Sequence, residues 1–226
     1  MITQQLVDAI RMLERAGYID HNGHCSARRD ENSFYINSGA SVRGALTADD
    51  IVTVDLAGTM VEGTARPPLE YHIHAEVYRA RPDVNAVVHC HTPSLIPFAD
   101  STVPLRPMYH QSAFLAAGVP VFEIRQAAGM TNMLVETVAL GQALAKVLAD
   151  KPALLMRGHG AIVVADTIPN VVGRSIYLDV NAKAQAQAIA LGGKITYVEA
   201  DEARLRMSDT NEYARAWDLW KRKVTR

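Results

Sequence analysis

Cysteine is scarce. Cys25 and Cys90 are the only two in 226 residues, too few for a disulfide framework, so a reducing cytoplasm is the expected home. Net charge is equally slight: 23 Lys+Arg stand against 24 Asp+Glu. With no basic stripe to neutralise phosphates, the chain is not expected to bind nucleic acid. No apolar run approaches the ~20 residues of a membrane span. The opening segment, residues 1–17, carries acidic and polar residues among its apolar ones and reads as a helix rather than a signal peptide. Repeats, low-complexity tracts and linker-like stretches are also missing, which predicts a single domain over residues 1–226. What is left is 49% hydrophobic and 21% charged, the composition of a globular chain with a core, so bulk disorder is excluded.

The periodicities alternate between two kinds. Leu6, Ile10 and Leu13 recur at helical spacing, with Gly17 as a stop. Ser33–Asn37 and Ile51–Asp55 read as strands, and Ala57-Gly58 as a hairpin turn returning through Met60 and Val61. Pro67 and Pro68 postpone a helix to Leu69 or Glu70, and it runs to about Arg81. Strands are predicted over 85–91, 119–124, 153–156 and 161–165, and helices over 134–148 and from about Asn170 to Leu191. A last short helix carries Trp217 and Trp220 as core or interface anchors. Such a mixture of hairpins and alternating elements predicts a three-layer α/β sandwich with an at least partly antiparallel sheet.

Histidine is what the sequence has in plenty: eight, seven of them before residue 111. His89 and His91 stand i and i+2 at the end of a predicted strand, so both rings reach one point while Cys90 packs on the other face. His159 lies between Gly158 and Gly160 in a turn held by two apolar strands, a rigid mount for a third imidazole. Glu70 sits at the first turn of its helix, its carboxylate free to enter a cleft, and His74 lies four residues on along the same face. Three imidazoles leave open positions on a divalent cation. A carboxylate beside them suits a general base or a displaceable fourth ligand.

These residues match a known pattern. Gly-His-Cys-Ser-Ala-Arg (23–28), Asn-Ser-Gly (37–39), Glu70, His74, His89-x-His91 and Arg157-Gly-His159-Gly together resemble the class II aldolase/adducin family over nearly the whole chain. The resemblance implies an αβα sandwich with a mainly antiparallel, nine-stranded sheet. It further implies a homotetramer with active sites at subunit junctions. His89, His91 and His159 are then the metal ligands, with Glu70 as base and potential fourth ligand. One divalent ion per subunit is implied: Zn2+, or Mn2+ or Fe2+ where substrate oxygens chelate it.

The chain departs from the family's sugar-phosphate aldolases where they grip phosphate. Their loop asparagine is replaced by His24, and Pro68 and Leu69 replace two serines, while Ser38-Gly39 keeps a hydroxyl–glycine pair. Proline has neither hydroxyl nor N–H. Each charge-assisted bond lost costs roughly 1.5–3 kcal/mol, so sugar phosphates are not the expected substrates. His24 and an apolar Leu69 wall suit a planar aromatic acid. The Pro-Pro-Leu-Glu-Tyr-His-Ile-His run (67–74) and the helix around Val172–Asn181 resemble the branch that decarboxylates hydroxymethylpyridine-dicarboxylates and dihydroxyphthalates. The expected reaction is therefore metal-dependent loss of CO2 from a hydroxylated aromatic dicarboxylate, with 3,4-dihydroxyphthalate giving protocatechuate as the leading case. Glu70 or His74 would deliver the proton. His24, Ser38, Gly39, Arg43 and His110 are the expected substrate contacts, with Arg106 a further cation for a second carboxylate. Arg174 and Tyr177 read as a structural pair, and His21 and His72 as structural, with His72 facing away from His74. Two rival readings remain: an aldolase or epimerase acting on a sugar or sugar phosphate, and a non-catalytic adducin-like scaffold.

Overall fold

The computed structural model describes residues 1–207 and 213–224. Helix α1 (Ile2–Arg15) buries Leu6, Ile10 and Leu13 and ends at Gly17, whose φ of 70° suits a residue without Cβ. Strands β1 (His24–Arg28), β2 (Ser33–Asn37), β3 (Ile51–Asp55) and β4 (Met60–Glu62) follow as an antiparallel run, the last pair closed by the turn at Gly58. Glu70 then caps α2 (Tyr71–Ala80), which leads to β5 (Ala86–Cys90). Short α3 (Ile96–Ala99), β6 (Val121–Phe122) and α4 (Ile124–Ala128) precede α5 (Val138–Leu148). Strands β7 (Ala153–Met156) and β8 (Gly160–Ala165) flank the His159 turn, and α6 (Ile168–Leu191), α7 (Ala200–Arg206) and α8 (Ala214–Val224) complete the order.

All eight strands form one sheet in the order β4-β3-β2-β1-β5-β8-β7-β6, antiparallel except between β6 and β7. Helices cover both faces. One core joins α1, α6 and Trp217 to the sheet face bearing Cys25, Val88 and Cys90; the other joins α2 and α5 to the face bearing Ile36, Val87 and Ile162. The αβα sandwich with a mainly antiparallel sheet is thus the observed fold. The described residues form eight strands rather than nine. Among them no helix is long and apolar enough to cross a membrane.

Four further expectations change. The His24 segment, expected as a loop, is strand β1 at the centre of the sheet. Its site-facing residues, His24 and Ser26, are polar, so the strand shows no apolar alternation to read. The helix expected from Leu134 begins at Val138, where the Thr137 hydroxyl accepts from the Leu140 N–H. The strand expected over 119–124 shrinks to two residues and passes into α4. Arg174 and Tyr177 do not pair: Arg174 donates to the Val164 carbonyl, while Tyr177 stacks on Tyr213. Trp217 and Trp220 join the α1–α6 core as expected.

Candidate metal centre

Register builds the site. His24 on β1 lies directly across from His89 on β5, and alternation points both rings toward α2. On α2, Glu70, His74 and Tyr78 follow at i, i+4 and i+8, forming one stripe. A strand advances ~6.6 Å over two residues and a helix ~6.0 Å over four. The pair His24/Ser26 can therefore face the pair His74/Tyr78 step for step. The β7–β8 turn closes the site from the other side. Gly160 permits this approach, since a Cβ there would lie 1.9 Å from the Cys90 carbonyl oxygen.

Glu70, His89, His91 and His159 meet at one point, with ligand atoms all within 4.8 Å of one another. His91 Nε2 is 3.0 Å from His89 Nε2 and 3.2 Å from His159 Nε2; Glu70 Oε2 is 3.6 Å from His89 Nε2 and 3.3 Å from His159 Nε2. The far side of each ring explains why. His89 Nδ1 is 3.1 Å from the Ala161 carbonyl, His159 Nδ1 is 2.9 Å from the Met133 carbonyl, and His91 Nδ1 is 3.1 Å from Asp20 Oδ1. Carbonyls only accept, as does the ionised Asp20 carboxylate, so each Nδ1 carries a proton and in the neutral ring each Nε2 is left as a lone pair. His159 Nε2, 3.3 Å from Glu70 Oε2, can also take a proton and donate it to that carboxylate, which, against the lowering effect of burial, raises the pKa of His159. Three such lone pairs repel unless a cation lies among them. Their spacing fits: donors ~2.1 Å from a common ion stand about 3.0–3.4 Å apart. The residues present therefore suit a divalent cation.

Glu70 is held from two directions. Its Oε1 accepts from the Val135 N–H at 2.8 Å, leaving Oε2 on the cluster. Burial alone would raise its pKa, but the His159 and His89 rings and the Val135 N–H outweigh it and hold the carboxyl at about 2. At neutral pH it is an anion.

Three supports carried no sequence signal that was read. Asp20 turns the chain into β1 by accepting from the Asn22 and Gly23 N–H groups while also holding His91. Met133 adopts φ 68° and offers its carbonyl to His159; Val135 offers its N–H to Glu70. The hydroxyl of Thr131 and the amide oxygen of Asn132, accepting from Met133 N and Leu134 N, stabilise that turn. An Asp-x-Asn-Gly turn and a Thr-Asn pair were the available clues.

A cavity of about 430 Å3 opens beside the cluster, lined by Asn22, His24, Gly39, Arg43, Pro67, Pro68, Leu69, Glu70, His91 and Leu134. His24, Gly39 and Arg43, three of the expected substrate contacts, line this cavity. Arg43 is buried, its Nε and Nη1 bound to the Gly23, Ser38 and Ser41 carbonyls, and its Nη2 makes no hydrogen bond among the described residues. Ser38 stands behind it, contributing its carbonyl. His74 does not reach the cavity: it is fully buried, one ring behind His24, with both nitrogens occupied. Burial pushes it down to about 3, so it is neutral. His110 is exposed on the α6 side, its ring edge-on to Tyr109, and Arg106 stacks on Tyr197 there. Neither joins the cluster within one chain. His21 is exposed, and His72 lies half-buried with its ring tilted against that of Tyr71. A larger cavity, about 600 Å3 near Arg28, Asn85 and Trp217, contains none of the candidate ligands or substrate contacts.

Comparison with known proteins identifies the family. Residues 4–186 match the model of the Class II Aldolase and Adducin N-terminal domain, and the chain belongs to that family. It is 29% identical to Decarboxylase tropJ of Talaromyces stipitatus, over 96% of this chain and 92% of that protein. It is 33% identical to a 3,4-dihydroxyphthalate decarboxylase of Arthrobacter keyseri, over 83% and 78% of the two chains. In fold it resembles the L-fuculose 1-phosphate aldolase of Glaciozyma antarctica PI12, with a TM-score of 0.81 at 21% identity, covering 98% of this chain and 87% of that one.

Proposed function

We propose that this protein is a metal-dependent lyase that removes CO2 from a hydroxylated aromatic dicarboxylate, with 3,4-dihydroxyphthalate to protocatechuate as the leading reaction. The observation that carries it is the pairing of a three-imidazole, one-carboxylate cluster with a cavity walled by His24, Arg43, Pro68 and Leu69. That wall offers cationic and ring N–H donors to carboxylates and no hydroxyl pair to a phosphate. The resemblance to decarboxylases of dihydroxyphthalate supports the same choice.

His89, His91, His159 and Glu70 would hold the cation, one per subunit, as Zn2+ or as Mn2+ or Fe2+. When bound, the cation supplies the positive charge that stabilises the electrons left on the ring as CO2 departs. The chain's own groups do the rest. Arg43 and His24 orient the carboxylates. Glu70, an anion before substrate arrives, takes the phenolic proton and returns it to the ring carbon once the carbon–carbon bond has broken; the phenolate oxygen left behind takes one proton from solvent, so one proton is consumed for each CO2 released. His74 is too far back for that role and acts as a positioning residue. Ser38-Gly39 keeps alive a second reading, aldol cleavage of a sugar or sugar phosphate. The expected homotetramer is part of the proposal, and Leu69 and Val42, 73% and 70% exposed beside the cavity, are the surfaces it would cover. Metal-loaded protein incubated with 3,4-dihydroxyphthalate should release CO2 and protocatechuate in equal amounts. Turnover of L-fuculose 1-phosphate without CO2 release from the aromatic acid would overturn the assignment.

A further inference from the structure

Between β1 and α2 runs a chain of four buried polar side chains that ends at the cavity. Tyr78 Oη lies 2.7 Å from Ser26 Oγ, Ser26 Oγ lies 2.6 Å from His74 Nδ1, and His74 Nε2 lies 2.7 Å from His24 Nδ1. None of Tyr78, Ser26, His74 and His24 is more than 2% exposed. The hydrogens in this chain can run either way in principle, and its far end decides which.

Tyr78 has one proton to give, and Ser26 Oγ is the only acceptor it meets among the described residues. The other polar group facing the phenol oxygen, the Val87 N–H, is itself a donor. A buried hydroxyl left unpaired costs about 1–3 kcal/mol, so the phenol donates to Ser26. The serine hydrogen then has only His74 Nδ1 to serve. His74 must carry its proton on Nε2 and donates it to His24 Nδ1. The reverse polarity would strand the phenol proton against nothing.

We propose that Tyr78 and Ser26 lock His74 and His24 into single neutral tautomers, so that His24 presents a fixed Nε2–H donor to an oxyanion of the substrate. His24 lines the cavity, and its Nε2 makes no hydrogen bond among the described residues. No group in the relay changes charge: it sets direction only. His24 is thereby disqualified as a base at the cavity wall and reads a carboxylate or phenolate oxygen beside the free Nη2 of Arg43. Ser26, His74 and Tyr78 are positioning residues. The substrate role rests on the cavity being the substrate site, as proposed above; the tautomers do not.

The test is two-bond 1H–15N correlation on metal-loaded, histidine-labelled protein, which reports the protonated nitrogen of each ring. His24 and His74 should both carry the proton on Nε2; a proton on His24 Nδ1, or a mixture, overturns the proposal. In Ser26→Ala the second tautomer should appear at both rings and the dissociation constant for phthalate should rise about twofold or more. Ser26→Thr, which keeps the hydroxyl, should restore the parent spectrum. An Ala variant with the parent spectrum would remove Ser26 and Tyr78 from the device. Single Nε2–H tautomers in a protein that binds no phthalate would sustain the relay and overturn the aromatic-acid reading instead.

Discussion

Five histidine rings crowd one end of this sheet, yet they fall into two sets with opposite chemistry. His89, His91 and His159 each have Nδ1 held by an acceptor, so in their neutral forms three Nε2 lone pairs converge. His24 and His74 are bonded to each other, and the hydroxyl of Ser26 occupies the back of His74. The residue type is the same, and fully buried rings occur in both sets, His89 in the first and His24 and His74 in the second. The group behind each ring decides whether its inner nitrogen offers a lone pair, as a cation needs, or a proton.

Breaking the first set should have the largest effect. His89→Ala and His159→Ala are each expected to lose bound metal and at least roughly a thousandfold in kcat/KM, because the charge that stabilises the departing electrons goes with the ion. Circular dichroism should show both variants folded. Metal analysis with assay is the check, and stoichiometric metal with activity in either would refute the ligand set.

Glu70→Gln sharpens the comparison by separating ligation from proton transfer. Its amide oxygen still accepts from Val135, and three imidazoles remain. Metal is expected to persist while kcat falls about a hundredfold to ten-thousandfold, the usual worth of a positioned acid–base group. Equal loss of metal and activity would make Glu70 chiefly a ligand.

The second set predicts a pH dependence of the metal-free protein. His74 is held at about 3 by burial, whereas in the unfolded chain it titrates near ~6.5. Below ~6.5 the unfolded state binds a proton that the folded state refuses. Its contribution to stability is therefore complete above that pH and is lost as pH falls toward about 3. The slope is about 1.4 kcal/mol per pH unit for one proton. Urea titrations of His74→Gln should show a profile flatter than the parent by that amount between pH 6 and 4; parallel profiles would mean His74 is charged in the fold.

The four side chains that the fold brings together were legible in the sequence. His89 and His91 announced themselves by strand spacing, Glu70 by following two prolines, and His159 by its flanking glycines. Backbone groups were not: the Met133 carbonyl and Val135 N–H carry no side-chain signature, and only the fold brings residues 133–135 to the site. The Tyr78–Ser26–His74–His24 chain was hidden for a different reason. Its geometry depends on β1 being a central strand, and β1 concealed itself by placing polar residues where apolar alternation was sought. His110 carried no such signal: nothing in its sequence surroundings told which layer it occupies, and within one chain it lies exposed away from the cluster.

The smallest expected effect probes what lies behind the first set. Asp20 Oδ1 accepts from His91 and from the Asn22 and Gly23 N–H groups. Burial raises its pKa, but the His91 bond and those N–H groups bring it below the usual carboxylate range. Asp20→Asn can keep all three bonds through its amide oxygen, so the turn into β1 survives and only the negative charge is lost. A neutral acceptor makes His91 a poorer donor to the cation, and outer-shell changes of this kind cost about 10–100-fold in affinity. Because the geometry is retained, the low end, about tenfold, is expected in competition with a chelator, and the tautomers of His24 and His74 should not change. A loss confined to His91's ligand strength would show that each ring in the cluster is tuned from behind independently. A simultaneous shift of the His24 and His74 tautomers would mean that the two sets form one network.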